Sequence, residues 1–179
     1  MMFIETKFNG VFLIEPKKLE DERGFFARTF DIEEFSKRQL ISKYVQSSIS
    51  FNKKKGTIRG MHYQTKPYEE TKIIRCTRGK IFDVIVDLRP DSKTFKEWLS
   101  VELSEDNYKM LYVPKGFAHG FQTLDDNTEV FYQISQYYMQ DFSKGVFYRD
   151  DTIKINWPLP PSIISKKDLS YPFFNTKES

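Results

Sequence analysis

Apolar and polar side chains alternate along most of this chain, and the cleanest run covers residues 80–88. There Phe82, Val84, Val86 and Leu88 point one way while Ile81, Asp83, Ile85 and Asp87 point the other, the period-2 signature of a strand. The same reasoning predicts strands over residues 11–14 (stopped by Pro16), 24–30, 44–51, 57–64, 72–76, 99–103, 110–113, 120–124 and 129–138. Residues 52–56, Asn-Lys-Lys-Lys-Gly, read as a polar turn with a solvated lysine tip, and Arg78-Gly79 as another turn. One helix is predicted over 32–39, with Asp31 as its cap and Glu33 and Glu34 favourably placed in the first turn. The tail after Trp157-Pro158-Leu159-Pro160-Pro161 is expected to cross the surface as an irregular segment. Short strands, close turns and one helix predict an all-β antiparallel sandwich or barrel.

Composition narrows this. The 179 residues suffice for a substantial core, and no linker, repeat or low-complexity block divides them, so a single domain over 1–179 is expected. Seventeen Phe and ten Tyr favour strands, where flat rings pack on pleated surfaces. A net charge of +3 from 28 basic and 25 acidic residues gives no reason to invoke nucleic acid, but is compatible with a mildly basic pocket for a small anion. Cys76 is the lone cysteine, so no internal disulfide can form and a reducing compartment is the simplest reading. No apolar run approaches bilayer length and the N-terminus lacks a signal-peptide pattern. A cytoplasmic protein with no membrane partner is expected.

The candidate chemistry centres on the only two histidines, His62 in Arg59-Gly60-Met61-His62-Tyr63-Gln64 and His119 in Pro114-Lys115-Gly116-Phe117-Ala118-His119-Gly120-Phe121. Histidine is the usual proton carrier near neutrality. Taken singly, each is explained as well by a buried, hydrogen-bonded histidine in a β-rich core. The surrounding motifs shift that balance.

Together with Asp21-Glu22-Arg23-Gly24-Phe25-Phe26, Gly56-Thr57-Ile58 before Arg59, Asp83-Val84-Ile85-Val86-Asp87-Leu88-Arg89, Tyr137-Tyr138, Ile155-Asn156-Trp157-Pro158 and Ser165-Lys166-Lys167-Asp168, these motifs resemble the dTDP-4-dehydrorhamnose 3,5-epimerase family. The resemblance runs from about Arg23 to Asp168 in the family's order. Pro-x-Gly-x-x-His alone is a general cupin signal; combined with Arg-Gly-x-His-x-Gln it is specific. The resemblance implies a cupin jelly roll with one or two short helices, a homodimer, and cofactor-independent epimerisation of a nucleotide-diphosphate 4-keto-6-deoxy sugar.

It also implies roles. A ketone at C4 acidifies the hydrogens on C3 and C5, so epimerisation needs a base on one face, an acid on the other, and stabilisation of the enolate between. His62 resembles the base, and histidine's reference pKa of about 6.5 suits that task. Asp168 resembles the carboxylate that orients this imidazole and stabilises its charged form. Tyr132 resembles the acid, and Lys72 the cation that meets the oxyanion at O4. Without the resemblance, Tyr132 would read as a packing aromatic and Lys72 as an ordinary strand lysine. Arg23, Arg59 and Lys167 resemble contacts to the diphosphate or the sugar. His119 resembles a second histidine of the sugar site, Tyr138 an aromatic stacked on the base, and Gln46 the first residue of a Gln-x-Asn element.

The chain departs from the family pattern at three of these substrate positions. Ser48 replaces the Asn of Gln-x-Asn, Arg28 stands where the family usually has Glu, and Ser143 stands where it usually has Glu after Tyr-Tyr. The 50–56 loop is also one residue longer than usual. These departures leave open the nucleotide (dTDP, CDP or GDP), the sugar, and whether C3, C5 or both react. No metal is expected. The usual cupin site needs His-x-His, and Gln64 stands two residues after His62; two histidines cannot supply three nitrogens. A cupin sugar 3,4-ketoisomerase, a non-catalytic sugar-nucleotide binding cupin and a purely structural cupin are the alternatives. A binder has no need of an acid and a base on opposite faces, so His62, Asp168, Lys72 and Tyr132 together speak against the second.

Overall fold

The computed structural model of the chain describes residues 1–174. Fourteen strands and two short α-helices lie in the order β1 (Met2–Glu5), β2 (Phe12–Glu15), β3 (Lys18–Asp21), β4 (Gly24–Ala27), α1 (Ile32–Ser36), β5 (Gln46–Asn52), β6 (Thr57–Gln64), β7 (Lys72–Arg78), β8 (Lys80–Asp87), β9 (Trp98–Ser104), β10 (Met110–Val113), β11 (Phe117–Thr123), β12 (Thr128–Ile134), β13 (Ser143–Gly145), β14 (Ile163–Ile164) and α2 (Lys166–Leu169). One six-stranded sheet has the order β1-β2-β10-β7-β12-β5. The other has the order β13-β6-β11-β8-β9, with β14 running parallel to β6. The remaining pairings are antiparallel, and β3 and β4 form a separate hairpin. This is the expected all-β jelly-roll sandwich.

The alternation that marks β8 explains its place. Ile81 and Ile85 face the layer between the sheets, with Ile74, Leu111, Phe121 and Val130. Val84 and Val86 face outward and would be wet, but Val146, Ile153, Ile155 and Trp157 of the C-terminal segment cover them. On the outer side of the first sheet, Phe35 of α1 packs on Ile14, Ile73, Met110 and Tyr112. Among the described residues no helix is long and apolar enough to cross a membrane.

Most predicted strands lie within two or three residues of their expected ends, and the exceptions have local causes. The 129–138 strand stops at Ile134, because side chains replace the ladder beyond it. The Gln64 amide donates to the Tyr137 carbonyl and accepts from the Met139 N–H, and Gln46 Oε1 accepts from the Tyr138 N–H. Helix α1 is capped by Asp31 as expected, with Oδ1 accepting from the Glu33 and Glu34 N–H groups. Its regular part ends at Ser36, and Gln39 at φ 57° reverses the chain so that the Leu40 N–H reaches the Phe35 carbonyl. The tail is not wholly irregular. Strand β14 adds to β6, and Ser165 caps α2 by accepting from the Asp168 N–H at 3.0 Å.

Candidate active site

Strands β6 and β11 bring the two histidines side by side, with His62 and His119 as cross-strand partners. The two strands nearly touch at Gly60 and Gly120. Gly60 has φ +124°, and a Cβ there would stand 2.5 Å from the Gly120 Cα. This is what the glycine of Arg-Gly-x-His is for. It leaves the Gly60 N–H free to donate to Asp168 Oδ2 at 3.2 Å.

Asp168 arrives from α2. Its Oδ1 lies 2.8 Å from His62 Nε2. Burial alone would raise this carboxyl. The His62 hydrogen bond and charge, the Gly60 N–H and Ser165 outweigh burial and hold it below its ordinary value. Ionised Asp168 can only accept, so Nε2 carries the ring hydrogen and donates it to Oδ1, which places the lone pair on Nδ1. The His62 side chain keeps 40% of its surface open while Asp168 is buried, so the imidazole is the reachable member of the pair. The Tyr171 ring stands edge-on to it at 5.7 Å.

The second histidine has the opposite surroundings. His119 is buried, and its Nε2 lies 2.7 Å from Oδ1 of Asp83, which β8 turns inward. Asp83 is fully buried, and its Oδ2 has no hydrogen-bond partner among the described residues. Burial pushes its carboxyl up, and His119 and Lys72 offset this only in part. Tyr132 on β12 meets His119 edge-on at 6.0 Å. Burial first, and the charge of Asp83 second, raise its phenol above the ordinary range, while Arg59 opposes them. The Tyr132 phenol therefore holds its proton more tightly than a free phenol does.

A cleft of about 400 Å³ opens over His62 and Asp168. Gln46, Arg59, Lys72, Tyr138, Ser143 and Lys167 also line it. Tyr132 and Ser48 are cross-strand partners one step along the same face from the Ile134, Gln46 and Lys72 row. Arg59 is held by Asn52, whose Oδ1 accepts from Nε at 2.6 Å. Burial would lower the Lys167 ammonium, but the Tyr171 and Tyr138 phenols more than offset it. Lys72 makes an ion pair with Glu70 at 2.7 Å. Among the described residues no three His, Cys, Asp or Glu side chains gather as a ligand set.

Of the expected site residues, Ser48, His119 and the expected acid Tyr132 do not line this cleft, and two expected substrate contacts lie elsewhere in the chain. Arg23 sits in the β3–β4 turn, paired with Asp21 and 86% exposed, and Arg28 pairs with Asp31 at the start of α1. Neither lines the cleft. Sequence reasoning did not single out Asp83, Glu70, Asn52, Ser165 or Tyr171 as site residues. For Asp83 a signal existed, since it is a carboxylate on the inward face of the most regular strand. Glu70 and Tyr171 lie outside regular elements and carry no periodic signal.

Comparison with known proteins adds a family to this geometry. The family model described as dTDP-4-dehydrorhamnose 3,5-epimerase matches residues 5–176. A dTDP-4-dehydrorhamnose 3,5-epimerase of Shigella flexneri is 40% identical over 173 residues, covering 95% of this chain and 94% of that protein. The crystal structure of the Bacillus anthracis dTDP-4-dehydrorhamnose 3,5-epimerase with TDP and PPi bound superposes with a TM-score of 0.93 at 43% identity, covering 97% of this chain and 99% of that one. The dTDP-6-deoxy-D-glucose-3,5-epimerase of Legionella pneumophila, in complex with dTDP-4-keto-L-rhamnose, superposes at 0.90 with 35% identity, covering 96% and 92%.

Proposed function

The chain belongs to the dTDP-4-dehydrorhamnose 3,5-epimerase family, and from that premise we propose that it epimerises C3 and C5 of a dTDP-linked 4-keto-6-deoxyhexose with its own side chains as acid and base. His62 takes the proton from carbon. The electron pair moves into the ring and onto O4, giving an enolate that the Lys72 ammonium stabilises. Tyr132 then gives its phenolic proton to the other face of the same carbon, which inverts it, and solvent restores both groups. Arg59 and Lys167 hold the diphosphate, and Tyr138 presents a face to the base. The observation that carries this reading is the His62–Asp168 pair at 2.8 Å, half-open on a cleft that also holds Lys72.

The active form is a homodimer. The β3–β4 hairpin exposes Leu19 and Phe26 (66% exposed), and the edge strand β5, beside the cleft, exposes Ile49 (63%) and Phe51. A second copy of the chain would cover these apolar surfaces. Cys76 is buried as a free thiol, which fits a reducing cytoplasmic setting.

Incubation of the purified protein in deuterium oxide with dTDP-, CDP- and GDP-linked 4-keto-6-deoxy sugars, followed by NMR, tests the reading. Deuterium should enter C3 and C5 of the dTDP sugar with inversion. Absence of label from every sugar, or a carbonyl that moves from C4 to C3, would refute it.

A further inference from the structure

We infer that Glu70 is a positioning residue for Lys72, holding the ammonium where it meets the oxyanion. The inference rests on the role proposed above for Lys72 and extends it to a residue outside the proton-transfer set. The carboxylate and ammonium are 2.7 Å apart and only 13% and 12% exposed, and both line the cleft with His62. A solvent-exposed pair of this kind would be worth little. A pair this enclosed is different, because each charge has little water to fall back on if its partner leaves.

The segment that carries Glu70 is fixed on both sides. Before it, the Gln64 amide donates to the Tyr68 carbonyl at 2.9 Å and the Tyr68 ring packs on Phe142 at 4.6 Å. After it, the Thr71 N–H donates to Ser135 Oγ at 2.8 Å, and the Ser135 N–H donates back to the Thr71 carbonyl at 3.0 Å. Glu70 is therefore a fixed anchor on an otherwise loop-like segment.

Lys72 needs one. A lysine ammonium is a point charge on a flexible four-carbon stem, and a charge stabilises a developing enolate only if it is already in place when that charge appears. The ammonium has three N–H groups. With one side drawn to Glu70, the others remain for O4. The carboxylate also subtracts from the positive field at O4, so its contribution is to placement and should show in turnover rather than in affinity.

The test is a double-mutant cycle in the full-length protein, read as kcat and KM for the dTDP sugar, dTDP affinity by calorimetry, and thermal melts. Glu70→Ala should lower kcat about 10–100-fold, the scale of a roughly 1 Å misplacement. KM and dTDP affinity should stay within about threefold, because those contacts belong to Arg59 and Lys167. Glu70→Asp should recover part of the loss. In a Lys72→Met background, followed by residual deuterium exchange, Glu70→Ala should change the rate less than about twofold. If Glu70→Ala fails to fold, the near-isosteric Glu70→Gln stands in for it in the same cycle. The inference is overturned by parent-like kcat, by equal losses with and without Lys72, or by a loss confined to KM, which would make Glu70 a direct sugar contact. Absence of turnover in the unsubstituted protein overturns the epimerase reading itself, and this inference with it.

Discussion

Asp168→Asn should damage catalysis more than Asp168→Ala, although Asn is the closer mimic. The geometry forces this order. Asp168 accepts from two donors at once, Oδ1 from His62 Nε2 and Oδ2 from the Gly60 N–H. An Asn amide has only one acceptor. If its oxygen faces His62, its NH₂ points at the Gly60 N–H, two donors about 3.2 Å apart. If its oxygen faces Gly60, its NH₂ donates to Nε2, and the ring must carry its hydrogen on Nδ1. The second arrangement satisfies every group and so prevails, and it locks the imidazole in the tautomer that cannot take a proton at Nδ1. In a Ser-His-Asp triad the same change costs about 10⁴-fold, and a general base contributes about 10²–10⁴-fold. A fall of about 10³–10⁴-fold in deuterium exchange at both carbons is expected for Asn. Ala leaves the tautomer free, so exchange should fall less, by about 10–10²-fold, even though Gly60 loses its acceptor. The assay is NMR-detected exchange at saturating dTDP sugar, with matched melts. Exchange in Asp168→Asn within tenfold of the parent, or Asp168→Ala slower than Asp168→Asn at equal stability, would refute the tautomer argument.

Tyr132→Phe should retain exchange at carbon while net inversion falls about 10²–10⁴-fold, since the proton can return only to the face it left; equal loss of both, measured on one NMR sample, would remove its separate role as acid. Stability should report the Asp168 carboxylate through pH. Its folded pKa lies below the unfolded value of about 3.9, so its contribution is complete above that pH and is lost as pH falls through the folded value. The melting-temperature gap between parent and Asp168→Asn should therefore be full at neutral pH and close in acid; a gap that widens in acid would contradict the assignment. Gln64→Leu removes bonds to the Tyr68 and Tyr137 carbonyls and from the Met139 N–H. At about 0.5–1.5 kcal/mol each it should cost about 2–4 kcal/mol by urea unfolding, with a raised KM as Tyr138 loses its support.

The strands were legible because their faces differ. Residues 57–64 and 110–113 were delimited correctly from alternation and flanking turns alone, and they match β6 and β10. Strands β1, β3, β13 and β14 went unseen: they are short, largely exposed, or in β14's case two residues long, so little burial writes a pattern into them. The cleft was legible through its motifs, which bring His62, Lys72, Arg59, Gln46, Tyr138, Ser143, Lys167 and Asp168 to one surface. What stayed hidden depends on pairing at long range. Asp83 and His119 are 36 positions apart, and Gln64 and Met139 are 75 apart. No local window contains either pair.

A count of histidines does not choose the base; their carboxylates do. His62 and His119 face one another across β6 and β11, each with Nε2 on an aspartate within 2.8 Å. On distance alone the pairs are interchangeable. Their environments push the two carboxyls apart. Asp168 has a second donor in Gly60 and is held low; Asp83 has an unpartnered Oδ2, is fully buried and is pushed up. Such a separation is how one fold assigns different proton chemistry to like groups. A firmly ionised Asp168 stabilises positive charge on the ring that opens to the cleft, which is what a base needs as its proton arrives. Asp83 is a poorer counter-ion for a ring that is closed to solvent. On the proposed reading, the pair that opens to the cleft is therefore the one placed to take a proton from carbon.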